Sequence, residues 1–530
     1  MAKQDSTFSR RSFVKGALGV GAAGAVAGLT ACGPSEGAAT GGISAVDVNW
    51  DDTADIVVVG GGGTGCSCAL AAGEAGSSVI LLESSSALGG CSALAVGSLT
   101  TPGSQLQKDM GIEDSAEQYL EDMTDEMAKE RAGADWAIFE MQAQEGGKTI
   151  DWMVDHGVAF NGPLVYPGHT NNRMHMLSPK SNAWPGVFKP LMEAAGVKIL
   201  LDTKGVELVV DNGRVVGVKA VDQITQSEFF FKGEKGVFIA SASCDSSYDL
   251  KIRATADPEA CKIDAACSYN DGTGLMMCQM VGAGLTTWES AAGGGLRAQA
   301  PSLNVGVFGK QSWMPYGMIA AGAIMVNKQG QRYASEDLNG TAFTIATNRL
   351  PERMGWMFYD DAVASNFQVF PDMVVSSMPN EGWGTVDDFV AAGSIMKADT
   401  IEEVAALTDV DPAGLAAEVA KYNGFVAAGK DEDFGKKEFG KEDAGTKNKP
   451  LDTPPFYIHG PHKGEVTSAP LTLNINTSFE VLDVFDNVIP GLYAGGNAGK
   501  GRAPMSVGHG TQMTWAFTSG RLAGTMFAGM

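Results

Sequence analysis

Asp55-Ile56-Val57-Val58-Val59-Gly60-Gly61-Gly62-Gly63-Thr64-Gly65 joins an apolar, β-branched run to a glycine turn. The run has the composition of a strand buried on both faces. Gly60, Gly62 and Gly65 fit the spacing G-x-G-x-x-G, in which the glycines permit a tight turn, close approach to a pyrophosphate and close packing of the next helix. In a chain with 69 glycines the string alone carries little weight. Its context is what makes it specific. A helix of small residues is expected through Ala75, then a second strand, Val79-Ile80-Leu81-Leu82-Glu83, which places an acid 18 positions after Gly65 where it can accept hydrogen bonds from ribose hydroxyls. Strand, helix and strand make a βαβ unit, and a nucleotide site is expected at its glycine turn.

Outward from this unit, 530 residues are too many for one ordinary core, so two closely joined domains are expected. Residues 115 to 150 are charged and helical. Strands recur at Val197–Leu201 and Val206–Val210, and the turn Asp211-Asn212-Gly213 leads to a return strand Val215–Val218, a hairpin inserted in the nucleotide-binding domain. From 288 to 456 the pattern changes to short strands, loops and helices. There Thr400-Ile401-Glu402-Glu403 reads as a capping box, and Asp411-Pro412 supplies an N-cap and a first helical residue. The chain returns with the strand Val488–Ala494 and ends in a helix from Thr511 to Met526. The expected layout is a nucleotide-binding domain in two pieces, 51–287 and 457–530, with a cap domain, 288–456, between them.

The N-terminus carries Ser9-Arg10-Arg11-Ser12-Phe13-Val14-Lys15 ahead of a weakly apolar run, Gly16 to Ala31, which resembles a twin-arginine export signal. The run is shorter than the ~20 residues of a membrane span. Leu29-Thr30-Ala31-Cys32 resembles a lipobox, with Cys32 as the lipidated residue. Residues 1–31 are then the signal, and 32–50 a flexible linker rich in Gly, Ala and Ser. An extracytoplasmic protein held to the membrane only through a lipid is the expectation. The net charge of −24, with no Lys/Arg cluster, argues against nucleic acid, whose phosphates need cations to replace their counterions. No metal site is expected, and the cysteines show neither C-x-x-C nor a haem-attachment motif. Cys66 and Cys68 read as packing residues, whereas Cys261 and Cys267 could pair in an oxidising compartment.

The glycine turn does not separate NAD from FAD. Twin-arginine export carries folded proteins to a compartment without a renewable pool of nicotinamide, which favours a tightly but non-covalently held FAD. Further segments, spanning nearly everything from Asp55 onward, resemble the FAD-binding reductases and dehydrogenases that include fumarate reductase flavoproteins, urocanate reductases and ketosteroid dehydrogenases. Gly89-Gly90-Cys91-Ser92, with Gly97 beyond, is similar to that family's second glycine loop. Asn270-Asp271-Gly272-Thr273-Gly274 is similar to its T-G-D-G segment, and Gly322–Asn327 with Gly330-Gln331-Arg332-Tyr333 to Glu336 to its cap strand and turn. Gly491-Leu492-Tyr493-Ala494-Gly495-Gly496-Asn497 matches G-L-Y-A-x-G-E with Asn in place of the acid, and Gly508-His509-Gly510-Thr511-Gln512 opens the last helix.

The resemblance implies an α/β fold, a Rossmann-like FAD-binding domain with an inserted α+β cap. It implies cofactor contacts from Gly60, Gly62, Thr64, Gly65, Glu83, Gly89, Gly90, Cys91, Ser92, Gly97, the backbone of Val206 against adenine, Asp271, Asn497, Gly510, Gln512 and Met513. The bare start of the last helix would stabilise negative charge on the reduced flavin.

The sequence departs from members that reduce fumarate. Gly293-Gly294-Gly295 stands where a histidine is expected, Leu338-Asn339-Gly340 where an acid arginine should follow Glu336, Val466–Leu471 replaces H-T-M-G-G-L, and Ser506-Val507 replaces Asn-Arg. Burying two carboxylates without those cations is costly. The expected substrate is therefore a larger unsaturated organic molecule, an aromatic acrylate or an enone, reduced by hydride from flavin N5 and a proton from a protein acid. Tyr316, in the segment Trp313-Met314-Pro315-Tyr316, together with Arg502 and His509, are the acid or orienting candidates; Arg173-Met174-His175 resembles an R-x-H of the family. Electrons would come from an external cytochrome c or a quinol-linked protein. A dehydrogenase of ketosteroid type and a non-catalytic flavin electron carrier are the alternatives.

Overall fold

The computed structural model describes residues 41–530 apart from 96, 124–135, 165–168, 180, 256–260, 262–267, 288–295, 300–310, 314–315, 338–339, 367–384, 443, 465–470, 502 and 504–509. The residues from Glu36 onward form one compact unit. The quoted apolar run is the strand Asp52–Val59, and Ile56, Val57 and Val58 are wholly buried, worth roughly 1.5–3 kcal/mol each. A charge at Val57 would break this strand. On one side it pairs in parallel with Val79–Leu82, which pairs in parallel with Lys198–Leu200; on the other it pairs in parallel with Glu228–Ile239. The C-terminal end of Glu228–Ile239 also takes Val488–Ala494 in parallel, and Glu480–Leu482 closes that edge antiparallel.

The helix Gly63–Glu74 is built of small residues because the last helix, Thr511–Gly529, lies almost backbone to backbone against it. A Cβ on Gly520 would stand 2.2 Å from the Thr64 carbonyl oxygen, and one on Gly524 2.4 Å from that of Cys68. Cys66 and Cys68 are fully buried in this contact, and burial holds both thiols protonated, Cys66 also through the charge of Glu83. They pack and do not react.

The expected hairpin is present as Thr203–Asp211 and Arg214–Asp222, with Asn212 and Gly213 both at positive φ, as a tight two-residue turn that follows the strand twist requires. It belongs to the main sheet, extending it through Glu228–Phe231.

A second sheet takes the strands Leu296–Gln299, Gln311–Trp313, Ile324–Val326, Met354–Asp360, Ile395–Ala398 and Phe456–Gly464, the last of these central. It encloses an apolar core of its own, separate from the core around the main sheet. Caps fix its helices. Thr400 accepts from Glu403 N at 3.2 Å and Asp411 from Gly414 N at 3.0 Å, with Pro412 at the first helical position. Within the same stretch of chain Arg332, Glu336, Asp431 and Lys436 form a fully buried charged cluster. The Arg332 guanidinium reaches Glu336 at 2.7 Å and Asp431 at 2.9 Å, and Lys436 stands 3.4 Å from Glu336. Opposite charges in balance are what makes such burial tolerable.

Candidate cofactor groove and active site

Parallel strands present their carboxyl ends together, and ligands of such sheets bind there. Four neighbouring strands of the main sheet do so. Gly60 follows Asp52–Val59, Glu83 follows Val79–Leu82, Ala240 and Ser241 follow Glu228–Ile239, and Asn497 lies just beyond Val488–Ala494. With Gly62, Gly63, Thr64, Ser84, Gly90, Cys91, Ser92, Ala242, Tyr269, Asn270 and Ala516 they line one groove, open to solvent. Ligands of open parallel sheets bind in such a crevice.

The two glycine loops are braced against each other. Gly89 N donates to Gly61 O at 2.9 Å, Gly62 and Gly89 form a parallel bridge, and Gly63 N donates to Ser92 Oγ at 3.2 Å. Gly60 adopts φ +110°, a region closed to ordinary residues, so that the chain can turn off the strand. Gly65 is a packing glycine, because a Cβ there would meet the Gly60 carbonyl oxygen at 1.8 Å. Gly62 differs from both. Its φ of −77° suits any residue, and a Cβ would meet nothing closer than the Gly89 carbonyl at 3.9 Å. The protein's own packing does not require glycine at 62, and the missing side chain leaves the groove beside the loop open.

Electrostatics agree. The N-cap residue Gly62 of the helix Gly63–Glu74 offers no side-chain cap and the first turn carries no charge; Gly63 N is taken by Ser92 Oγ, and the positive dipole end of the helix lies at the groove. Glu83 is the sole charged side chain among the described lining residues. Its Oε2 accepts from Gly61 N at 2.7 Å and its Oε1 from Ser85 N at 2.8 Å, which pins the carboxylate at the turn while it still lines the groove. Three lining oxygens are buried without a hydrogen-bond partner: Ser241 Oγ, Asn270 Oδ1 and Asn497 Oδ1. Each orphan costs about 1–3 kcal/mol unless something bonds to it. Orphaned polar atoms, a ligand-spaced glycine and an uncapped helix start along one groove fit an extended, pyrophosphate-bearing nucleotide such as FAD. Gly62, Gly63, Ser92, Glu83, Ser241, Asn270 and Asn497 would hold it.

The other expected contacts fall around this groove in different ways. Gly97 is buried at φ +95° and its carbonyl accepts from Leu177 N at 2.9 Å. Val206 sits at a bulge, opposite no residue of its partner strand, since Gly205 pairs with Ala220 and Glu207 with Lys219. A bulge residue is left out of the ladder, as a backbone contact to a ligand requires. Asp271 is tied to Lys204 at 2.6 Å and to Thr273 N at 3.0 Å; burial pushes its pKa up, but these bonds outweigh it and keep the carboxyl below its usual range. Its neighbour Asn270 lines the groove instead.

Gly510, at φ +82°, begins the last helix without a side-chain cap. A Cβ there would strike Thr100 Oγ1 at 2.4 Å, and that hydroxyl is itself buried and unpartnered. Gln512 and Met513 are half-buried in the same first turn. Of Tyr316 only the backbone is described, at the start of the helix Tyr316–Ala320, while Arg502, His509 and Cys32 lie outside the described residues, as does Cys267. Among the described residues no group of three or more His, Cys, Asp or Glu could hold a metal.

Sequence reading passed over Ser241 and Ala242, and took Asp271 rather than Asn270 from the segment that holds both. The signal for Ser241 was available: it ends a buried run, Val237-Phe238-Ile239, and the carboxyl ends of such strands are where ligands gather. Ala242 stands at φ +61°, an unfavourable conformation for a residue with a side chain.

Arg173 and His175 are both buried. Arg173 makes a bidentate pair with Asp114, at 2.6 and 2.7 Å, and binds Asp122 as well, so its guanidinium is spent within the protein. Ser104 Oγ accepts from Gln107 N at 3.1 Å as a helix cap and therefore donates to His175 Nε2 at 2.7 Å. His175 Nδ1 then carries the proton and donates to Leu99 O at 3.3 Å. Burial lowers this histidine to about 4, so it is neutral near pH 7 and braces the strand Ser98–Thr100 beside Gly510.

A family model described as FAD binding domain matches residues 55–512. The urocanate reductase of Eggerthella lenta is 28% identical over 489 residues, 90% of this chain and 75% of that protein. A probable fumarate reductase of Shewanella frigidimarina is 27% identical over 493 residues, 89% of this chain and 74% of that one. Among solved structures, the 3-ketosteroid-Δ4-(5α)-dehydrogenase of Rhodococcus jostii RHA1, in complex with 4-androstene-3,17-dione, superposes with a TM-score of 0.71 at 25% identity, covering 92% of this chain and all of that one.

Proposed function

The chain belongs to the FAD binding domain family, and from that premise we propose that it is an exported, lipid-anchored reductase of an activated carbon–carbon double bond. That it is an FAD-dependent oxidoreductase follows from the family and its reductase relatives. The single observation that carries the reading is the groove, where orphaned Ser241, Asn270 and Asn497 oxygens and the ligand-spaced Gly62 converge on the uncapped start of a helix. FAD, held there non-covalently, supplies a hydride at N5.

The remaining work falls to the protein. The helix starts at Gly63 and Thr511 offer N–H groups to negative charge, the Gly62–Gly89 bridge holds the two loops in register, and an acid must deliver a proton to the carbon next to the one reduced. Tyr316, Arg502 and His509 are the candidates for that acid or for orienting the substrate. The substrate we propose is an aromatic acrylate or an enone. Support comes from the sequence, which lacks the histidines and arginines that pair with a small dicarboxylate. Electrons would arrive from a separate cytochrome c or quinol-linked protein.

A second reading, oxidation by a ketosteroid-type dehydrogenase, draws on the likeness to the Rhodococcus enzyme, which this chain covers along its whole length. The two separate by anaerobic titration. The dithionite-reduced protein is mixed in turn with cinnamate-type acids, enones and fumarate, and flavin reoxidation is followed. The reductase reading expects rapid reoxidation by a member of the first two classes; silence from every unsaturated compound, with a saturated ketosteroid bleaching the oxidised enzyme, would favour the dehydrogenase. A Tyr316→Phe variant that keeps full turnover removes the tyrosine as acid.

A further inference from the structure

Hairpin tips in water are built from Gly, Asn, Asp and Ser. The tip between Glu480–Leu482 and Val488–Ala494 instead reads Asp483-Val484-Phe485-Asp486-Asn487, with Val484 73% and Phe485 81% exposed. The carboxylates that flank the tip are turned back on the protein. Asp483 Oδ1 accepts from Phe485 N at 2.7 Å and Asn487 N at 2.9 Å, and Asp486 Oδ1 accepts from Asn474 Nδ2 at 2.7 Å. What the tip presents outward is a valine and a phenylalanine.

Two more exposed apolar side chains gather at the same place. Ala283 forms a bridge with Asp483, and Gly284 N donates to Leu482 O at 2.8 Å, which brings Met280, 56% exposed at the end of the helix Thr273–Met280, close to the tip. The first described residue abuts the same helix end: a Cβ on Gly41 would stand 2.1 Å from Met280 O, and Gly42 packs on Val281 and Val210. Val46, 87% exposed, follows directly. Val46, Met280, Val484 and Phe485 are thus exposed apolar side chains on segments that meet near Gly41 and Gly42, which we treat as an apolar collar at that point. Eight residues, 33 to 40, lie between Gly41 and Cys32. Even fully extended they reach no more than about 30 Å.

We propose that this collar is a membrane-docking surface: with Cys32 acylated, the short tether holds the collar against the bilayer, and Val484 and Phe485 enter its interface. The inference rests on the lipid-anchor reading above. No other route to the bilayer is offered by the described helices, none of which is long and apolar enough to cross it. A lipid surface is the occupant that the tether length selects, because an anchored chain cannot carry this face far from the membrane. An apolar patch at the one place forced to lie near lipid gains from burial there.

The test uses the full chain made in a host that processes lipoproteins and reconstituted in phosphatidylcholine vesicles with or without brominated acyl chains. Intact mass reads the acyl groups at Cys32. An environment-sensitive fluorophore is placed on Val484→Cys and, for comparison, on Ile224→Cys, which is exposed at the far end of the hairpin Thr203–Asp222, roughly 20 Å from where Ile43 pairs with Val209. The unsubstituted protein, labelled in parallel, sets the background from native cysteines.

Docking predicts a blue-shifted emission at 484 and at least twofold stronger quenching by brominated lipid than at 224. A label on Met280→Cys should be quenched likewise, and should lose that quenching when Val484→Asp and Phe485→Asp are added, with turnover of a soluble dye unchanged. An acylated protein whose 484 label is no more quenched than its 224 label overturns the docking surface and leaves the anchor standing. A mass without acyl groups overturns the anchor and the inference together.

Discussion

Replacing Gly62 by alanine separates ligand space from packing more cleanly than any other change in the glycine turn. The residue has φ −77° and ψ −173°, open to any L-amino acid, and the new methyl would meet only the Gly89 carbonyl, at 3.9 Å. The folded protein without cofactor should therefore lose no more than ~0.5 kcal/mol, the usual effect of an unobstructed surface change. Gly62 does line the groove at the start of the helix Gly63–Glu74, and the methyl adds bulk there. If it displaces a phosphate from one such charge-assisted bond, the loss is about 1.5–3 kcal/mol. That is roughly ten- to a hundredfold in affinity. FAD content after gel filtration, the dissociation constant from titration of apoprotein, and the melting temperature of that apoprotein give all three quantities. Gly65→Ala is the contrasting variant: its Cβ would stand 1.8 Å from the Gly60 oxygen, and the apoprotein itself should melt early. A Gly62→Ala protein that binds FAD as tightly as the parent would refute the placement of the phosphates.

Ala242→Gly should raise the melting temperature slightly, since relief of a left-handed alanine, worth ~1–2 kcal/mol, outweighs the added freedom of the unfolded chain; a fall would show that the conformation is unstrained. Arg173→Leu leaves the buried Asp114 and Asp122 without their cation and should cost about 3–5 kcal/mol in denaturant midpoint analysis, while turnover per folded, flavin-loaded molecule holds steady; a selective rise in KM would instead put the arginine in the substrate site. Burial depresses His175 to about 4, His462 to about 3 and His459 well below its ordinary value. The unfolded chain therefore binds more protons than the folded one below pH ~6.5, so stability is intact above that and falls as pH drops toward 3. His175 alone accounts for roughly 3 kcal/mol of this. A His175→Gln variant should show a shallower acid-side slope in thermal melts.

What could be read from the sequence was the part set by short-range geometry. The strand ending at Val59, the glycine turn and the acid at Glu83 are local signals, and the hairpin at Asn212-Gly213 names its own turn. The α/β nucleotide-binding class followed from them, and the flavin from the wider resemblance beyond Asp55; the family match bears out both. Residues brought to the groove from afar were harder. Asn270 rather than Asp271 lines it because Lys204, 67 residues away, claims the aspartate. Ser241 matters only through the position of its strand between two others. The closeness of the last helix to the first follows from Gly520 meeting Thr64, a pairing that no local pattern announces. The buried histidines His459 and His462 reach one face of the second sheet through an extra residue opposite Gly355 and Met357, which strand alternation would have put on opposite faces.

The most direct measurement is the product of a single anaerobic turnover. Enzyme reduced at the FAD is mixed with a slight excess of an aromatic acrylate or enone that reoxidises it, and the products are quantified against flavin. The account predicts one saturated product per flavin reoxidised, with fumarate a poor acceptor under the same conditions. Reoxidation without a saturated product, or fumarate consumed as readily as the larger substrate, would contradict it.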